Sequence, residues 1–347
     1  MEAYYPVESL RSFLEALFAS SGVPAEDSVL VTDTFLEANL RGVDTHGVRL
    51  VPVYLRRLEK GGVNPFPRLR VLADTGACLR IDGDNGLGQV AGARAMGFAI
   101  ERAERQGLGM VVVGHASHIG AASYYTRMAL QKGMAGFATS NNLPSLFVWG
   151  GLKRALSNPP FSIAFPAART PFVLDICLGT VAWNKIYMLR NEGKCLPPGW
   201  AWDARGGPTT NPGAAVEGGS VIPIGGHKGS SLIAAVEFFT GVLGGFAFGP
   251  GVGALLTNDT DPEQSSCLMM AFDVERILGP EIRERAEQFI AWCKDSPLAE
   301  GFEEILMPGE PEERIRAERL RTGIAIAPAD LESLREAARR RKVAYPF

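Results

Sequence analysis

The four histidines of this chain all stand in Gly- or Ser-rich turns: His46 in VDTHG, His115 and His118 in GHASHIG, and His227 in GGHKG. These turns are expected to be exposed, and an imidazole changes charge near neutral pH, so a histidine in such a turn is a candidate proton donor or acceptor. Around the first of them, the run RGVDTHGVRL brings Thr45, His46 and Arg49 to a helix break. A hydroxyl, an imidazole and a guanidinium together can hold a carboxylate and a neighbouring carbonyl oxygen. Other polar groups end short apolar runs: Asn142 after GFATSN, and Asp175 in PFVLDI. Lys228, in the glycine-rich GGHKG turn just before a helical run, is placed to meet an anion or a hydroxyl. Short strands ending in polar side chains are a rigid platform for a site.

Three motifs imitate chemistry that their spacing does not support. GLGQVAG (residues 86–92) reads G-x-G-x-x-x-G, and no acidic residue closes a second strand about twenty residues later, as a dinucleotide fingerprint requires. It reads instead as a glycine turn opening a helix. GGHKGSS (residues 225–231) has His227, not glycine, just before Lys228 and so lacks the Gly-Lys pair of a phosphate loop, as well as the glycine such a loop carries upstream of that pair. His115 and His118 lie three apart with no carboxylate or thiolate nearby in sequence, which argues against a metal pair.

The elements that must hold these groups follow from periodicity and punctuation. Residues 8–60 read as helical, with Pro24 as a first-turn proline and Val31, Phe35 and Ala38 at helical spacing until Gly42. A further helix runs from about 51 to 60 and stops at Gly61–Gly62. From about residue 70, β-rich runs (VLADTGACLRIDGD, GMVVVG, GMAGFATSN, ALSNPPFSIAFPA, PFVLDI, GSVIPIGG) alternate with helices expected near 89–106, 121–132 and 181–192. After about residue 275 the chain is charged and helical again. The fold class is therefore mixed α/β. Residues 71–279 form the mixed centre, and residues 1–70 with 280–347 form a discontinuous helical domain.

Composition narrows the partners. The chain has 347 residues, 46% hydrophobic and 21% charged, enough for a substantial core. Thirty-five basic against 38 acidic residues leave a net charge of −3, with no electrostatic footprint for nucleic acid or an anionic membrane. The N-terminal run does not read as a signal peptide. The most apolar stretch, residues 232–248, is interrupted by Glu237 and three glycines and reads as a buried glycine-rich helix, not a membrane span. Five cysteines, an odd number without a CxxC pair, fit a reducing compartment and a cytoplasmic location.

Taken together, DTHGVR with Tyr54 and GGV downstream, IDGDNGLGQ, HASHIGAASYY, SNPPFSIAFP, LDI with WNK, LPPGWAWDARGGPTTNP, GGHKGS, GVLGG and MPGE resemble the type 2 malate/L-lactate dehydrogenase-like family. That family includes ureidoglycolate and sulfolactate dehydrogenases, diketogulonate reductase and the cyclic-imine (piperideine and pyrroline carboxylate) reductases. The resemblance spans about residues 5–340. It implies a nicotinamide-binding fold that is not a Rossmann fold, a homodimer with its active site near the subunit interface, and NAD or NADP as cofactor. It implies His118 as the acid/base, His46 and Thr45 on the substrate side, and His46 itself as catalytic in the imine reductases. Asp175, Ile176 and Cys177 match a cofactor-contacting strand end, with Asn142, Lys228 and the Gly309–Glu310–Pro311 turn as further cofactor contacts. Asp175 could also orient a histidine. Arg49, the carboxylate clamp, falls one residue earlier than the family's arginine, where Leu50 stands; Thr45 stands for its serine, Leu178 for a Ser or Thr, and Ser230 for a tyrosine.

The expected activity is hydride transfer between nicotinamide and C2 of a small 2-oxo or 2-hydroxy acid. The alternatives are reduction of a cyclic imine carboxylate, and a non-catalytic nicotinamide or carboxylate binder.

Overall fold

The computed structural model describes residues 4–347. Its main sheet has seven strands: β2 (Arg70–Asp74), β3 (Cys78–Gly86), β4 (Leu108–Ala116), β5 (Ala135–Ser140), β8 (Pro160–Phe165), β9 (Phe172–Cys177) and β13 (Ser265–Phe272), in the order β2-β3-β4-β13-β5-β8-β9. Of its six pairings only β3 with β4 is parallel. A second sheet joins β6 (Leu146–Phe147), β7 (Arg154–Leu156), β10 (Ala201–Trp202), β11 (Pro208–Thr209) and β12 (Ser220–Val221). A third pairs β1 (Tyr4–Tyr5) with β14 (Ile324–Ala325), tying the two ends of the chain together.

Among the described residues twelve α-helices surround these sheets: α1 (Val7–Ser20), α2 (Ala25–Leu40), α3 (Val51–Lys60), α4 (Gly88–Gln106), α5 (Ser123–Gln131), α6 (Trp183–Asn191), α7 (Pro212–Val216), α8 (His227–Glu237), α9 (Val274–Leu278), α10 (Ile282–Lys294), α11 (Glu310–Thr322) and α12 (Pro328–Arg341). In α1 the buried Leu10, Phe13, Leu14, Leu17 and Phe18 recur three and four apart, the stripe that drives a helix onto a core. Each such side chain contributes about 1.5–3 kcal/mol when fully buried. They meet Val31 and Phe35 of α2, Val51 and Leu55 of α3, and Leu334 and Ala338 of α12 in one cluster, so early and late helices share a core. A separate cluster lies where α4 and α5 cover one face of the main sheet.

GLGQVAG opens a helix as expected, and Gly88 is required there: a Cβ would lie 1.9 Å from the Ser117 carbonyl oxygen. Two readings are corrected. The stretch after residue 232 is not a continuous buried helix. It passes from α8 into a π-helical turn over residues 238–242, and Phe238, Phe239, Val242 and Leu243 are exposed. Strand β13 was not anticipated. It is central in the sheet and covered on both faces, so SSCLMMAF is a nearly unbroken apolar run without the alternation of a half-exposed strand.

No helix among the described residues is long and apolar enough to cross a membrane.

Candidate active site

Two turns meet at one end of the main sheet. The first follows α2, where a 3-10 turn carries Asp44, Thr45 and His46. Buried Asn39 pins it: its side-chain amide donates to Asp44 (2.6 Å), and its oxygen accepts the Val48 N–H (2.8 Å). Gly47 passes so close to Asn39 that a Cβ would sit 2.2 Å from its side-chain oxygen, which explains the glycine after His46. From the other side Arg319 of α11 grips the Asp44 carboxylate at 2.6 and 3.0 Å. Thr45 Oγ1 lies 2.9 Å from His46 Nδ1.

The second turn leaves β4. Ser117 is buried and bonds both the Gly86 carbonyl (3.2 Å) and the Gly88 N–H (2.8 Å), locking the segment against α4. His118 then reaches the His46 ring, with centroids 5.4 Å apart and planes within 23°. The Tyr54 hydroxyl of α3 lies 2.8 Å from His118 Nδ1 and 3.1 Å from the His118 carbonyl oxygen. The Gly120 N–H also points at His118 Nδ1, at 3.2 Å. A backbone N–H can only donate, so Nδ1 is the acceptor and the neutral ring carries its proton on Nε2.

The histidines were expected in exposed turns. Both are instead half-buried and enclosed by protein, and this sets their acidity. Burial lowers His46 to about 4. Burial, with the neighbouring His46, lowers His118 to about 3. Both rings are therefore neutral at physiological pH. Burial also raises the Tyr54 phenol well above its ordinary value, with the Glu263 charge adding to the effect.

Sequence reasoning missed what lies behind this pair. Glu263, buried two residues before β13, accepts the His118 main-chain N–H at 3.0 Å. Burial raises its carboxyl to about 7, against the opposing effects of the His118 N–H and Arg57. Gln89 of α4 is fully buried, and its amide, near the Tyr54 hydroxyl, partly offsets the rise of that phenol. Reading SSCLMMAF as a strand would have marked Glu263 as an acid at a buried strand end.

The remaining candidates lie in separate neighbourhoods. Asp175 accepts the Ser123 N–H (2.8 Å) at the start of α5; burial raises its carboxyl, partly offset by Ser123. Asn142 exchanges hydrogen bonds with the Asn158 backbone at 3.0 and 3.2 Å, and the Asn158 side chain accepts the Gly179 N–H at 2.7 Å. Gly179 bridges to Pro223, ahead of the turn carrying His227 and Lys228, so Asn142, Cys177 and that turn form one neighbourhood. Cys177 Sγ lies 3.4 Å from the Gly179 carbonyl oxygen, and burial raises its thiol. Ile176 and Lys228 are exposed. Gly309 packs on Val173 of β9, next to Asp175, and Glu310 pairs with Lys294 (2.6 Å); Pro311 opens α11. Arg49 is exposed, and its charge acts on Asp330 of α12. His115 pairs with Asp82 at 3.2 Å, away from His118.

A half-buried pair of neutral imidazoles, one with its tautomer set by two donors, is equipped to move a proton at a substrate oxygen. Comparison with known proteins relates nearly the whole chain to dehydrogenases. The family model for malate/L-lactate dehydrogenase matches residues 5–335, and the chain belongs to this family. It is 35% identical over 344 residues to a malate dehydrogenase of Pyrococcus horikoshii, covering 96% of this chain and 94% of that protein. Its structure matches that of sulfolactate dehydrogenase from Methanocaldococcus jannaschii with a TM-score of 0.93 at 33% identity, covering 98% of both chains. It also matches delta1-piperideine-2-carboxylate reductase from Pseudomonas syringae with a TM-score of 0.87 at 26% identity, covering 97% of this chain and all of that one.

Proposed function

We propose that the protein is a cytoplasmic, NAD- or NADP-dependent oxidoreductase acting at C2 of a small 2-hydroxy or 2-oxo acid. The observation that carries this reading is the donor-locked, neutral His118 stacked on His46. The family relation and the names of the relatives support the substrate class.

The donor set fits a nicotinamide dinucleotide. Lys228 is exposed at the start of an eleven-residue helix, as an anion requires, and Asn142 and Cys177 share its neighbourhood. Asp175 and the Gly309–Glu310–Pro311 turn are read as further contacts, around β9. When bound, the dinucleotide supplies or takes the hydride.

His118 moves the proton. In reduction, its Nε2–H is given to the oxygen that becomes the alkoxide. The Tyr54 O–H and Gly120 N–H then strengthen as negative charge grows toward Nδ1, so the two donors that fix the tautomer also stabilise the donating ring. In oxidation the ring first releases its Nε2 proton to solvent and then takes the substrate hydroxyl proton at the same nitrogen, with Tyr54 and Gly120 still donating to Nδ1. Thr45 and His46 hold the reacting oxygen's side of the substrate. Arg49 remains the proposed carboxylate clamp, and it must turn from Asp330 to reach the acid.

A cyclic imine carboxylate is the second reading, supported by the piperideine-2-carboxylate reductase match. The fold is read as non-Rossmann because a single parallel pairing among six cannot build the parallel sheet that such folds use. Residues 1–70 with 280–347 are read as the helical domain, supported by the core shared between α1–α3 and α12. A homodimer belongs to the same reading: Phe238, Phe239, Val242, Leu243 and Phe248 present apolar surface that a second copy of the chain would cover.

The test is an absorbance screen at the nicotinamide band, pairing NADH and NADPH with 2-oxo acids and cyclic imine acids. Oxidation of either cofactor by a 2-oxo acid is expected. His118→Asn should lower kcat by about two orders of magnitude. Turnover within a few-fold of wild type would make His46 the leading acid.

A further inference from the structure

Glu263 lies where a carboxyl is costly, and the backbone around it is built to put it there. Strand β4 carries an irregularity opposite β13: Ser265 faces Ala116 while Cys267 faces Val113, so β4 holds an extra residue. His115 in that bulge has a φ of 49°, and Gln264 next to Glu263 has a φ of 59°. Asp84 and Asn85, at the same end of the sheet, have φ values of 51° and 54°. Non-glycine residues in this left-handed region cost energy, and their clustering marks a constrained, functional part of a fold. The result of the bulge and the turn is that Glu263 Oε2 sits 3.0 Å from the main-chain nitrogen of His118.

Few groups face this carboxyl. From α3 come Tyr54, whose hydroxyl touches His118, and Arg57, which is fully buried. Arg57 is occupied elsewhere: its guanidinium donates to the carbonyl oxygens of Gly62, Ala254, Asn258 and Asp261. It therefore lends Glu263 a field but no direct ion pair. From the turn after β4 come His118 and, behind it, His46. In Glu263's own loop Asp259 is paired with Lys60 at 2.9 Å, and Asp261 is exposed. A buried carboxyl with no cation of its own, bonded to the backbone of the histidine that moves the proton, is not explained by packing or by stability.

We propose that Glu263 is a positioning residue for His118: it holds the main chain that aims the imidazole, and its charge state biases the direction in which that imidazole passes its proton. The proposal rests on the reading of His118 as the acid/base. The physical argument is one of charge at short range. With Glu263 ionised, a negative charge held at the His118 main chain disfavours a ring that has lost its Nε2 proton, so that ring takes the alcohol proton more readily, as oxidation requires. With Glu263 neutral, no second negative charge opposes the imidazolate left when the ring gives its Nε2 proton to the developing alkoxide, as reduction requires, and solvent then returns a proton to Nε2. The Glu263 proton comes from and returns to solvent in the pH range where the carboxyl titrates, and no covalent bond to Glu263 forms.

Glu263→Gln tests this, because glutamine keeps an oxygen to accept the His118 N–H and removes only the charge. Protein labelled with 15N-histidine gives one backbone amide signal for each of the four histidines, and His118→Asn assigns one of them. Without cofactor or substrate, the His118 amide proton of the wild type should move with pH around a midpoint near 7. In Glu263→Gln it should not move. With cofactor and the best acid from the screen, Glu263→Gln should lose at least ~10-fold in kcat for oxidation at pH 8. It should keep its KM and change less than about threefold in reduction at pH 6. A His118 amide insensitive to pH between 5 and 9, or wild-type pH profiles in both directions for Glu263→Gln, overturns the proposal while leaving His118 in place if His118→Asn is inactive. An active His118→Asn removes the underlying reading instead.

Discussion

Glu263→Gln also makes a quantitative statement about folding. The native carboxyl titrates at about 7, against 4.5 for an ordinary glutamate. The native state therefore binds this proton more tightly than the unfolded chain does. Its contribution to stability is full below pH 4.5 and is lost as pH rises through 7. At about 1.4 kcal/mol for each pH unit, the interval amounts to about 3 kcal/mol. Glutamine carries no such penalty and keeps the bond to the His118 N–H, so the variant should be more stable than wild type by about 3 kcal/mol at pH 8. At pH 5 the advantage should fall below about 1 kcal/mol, since the wild-type carboxyl is then protonated in the native state and only partly ionised in the unfolded one. Urea unfolding of both proteins at the two pH values measures the difference. An equal difference at both, or a variant less stable at pH 8, would refute the assignment of a strained, solvent-shielded carboxyl.

Tyr54→Phe removes one donor from His118 while keeping the ring packed against Phe35, so kcat should fall roughly fivefold, for a bond of about 1 kcal/mol, with KM unchanged. An unchanged kcat would show that Gly120 alone sets the tautomer. Acid should destabilise the fold from about pH 6.5 downward. The unfolded chain gains protons there that native His46 and His118 refuse until about 4 and 3, and His46 alone contributes on the order of 3 kcal/mol to the loss. Replacing His46 with glutamine should flatten that slope in thermal melts between pH 6.5 and 4. Lys228→Ala should weaken NADH or NADPH binding about tenfold in a fluorescence titration, and equal affinity for both cofactors in both proteins would remove Lys228 from the site.

Local chemistry made much of this protein legible from its residues alone. The stripe of α1, the glycine stops of α3 and α4, and the strands punctuated by turns follow from side-chain periodicity and backbone restriction, which act over a few residues. The same is true of the turn that carries His46, and a set of motifs spread from DTHG to MPGE was enough to place the family. What the tertiary structure decided are properties that depend on which distant segments touch. Strand β13 carries no alternating pattern because helices and neighbouring strands cover both its faces. Gly47 has its reason in Asn39, and the Asp44 carboxylate has its cation in Arg319, 275 residues away. The two histidines were visible as turn residues, but their neutrality was not. It comes from burial and, for His118, also from the neighbouring His46, and those arise only when α3, the turn after β4 and the start of β13 converge. Acidity is a property of surroundings, and surroundings in a folded chain are set by contacts that sequence spacing does not record.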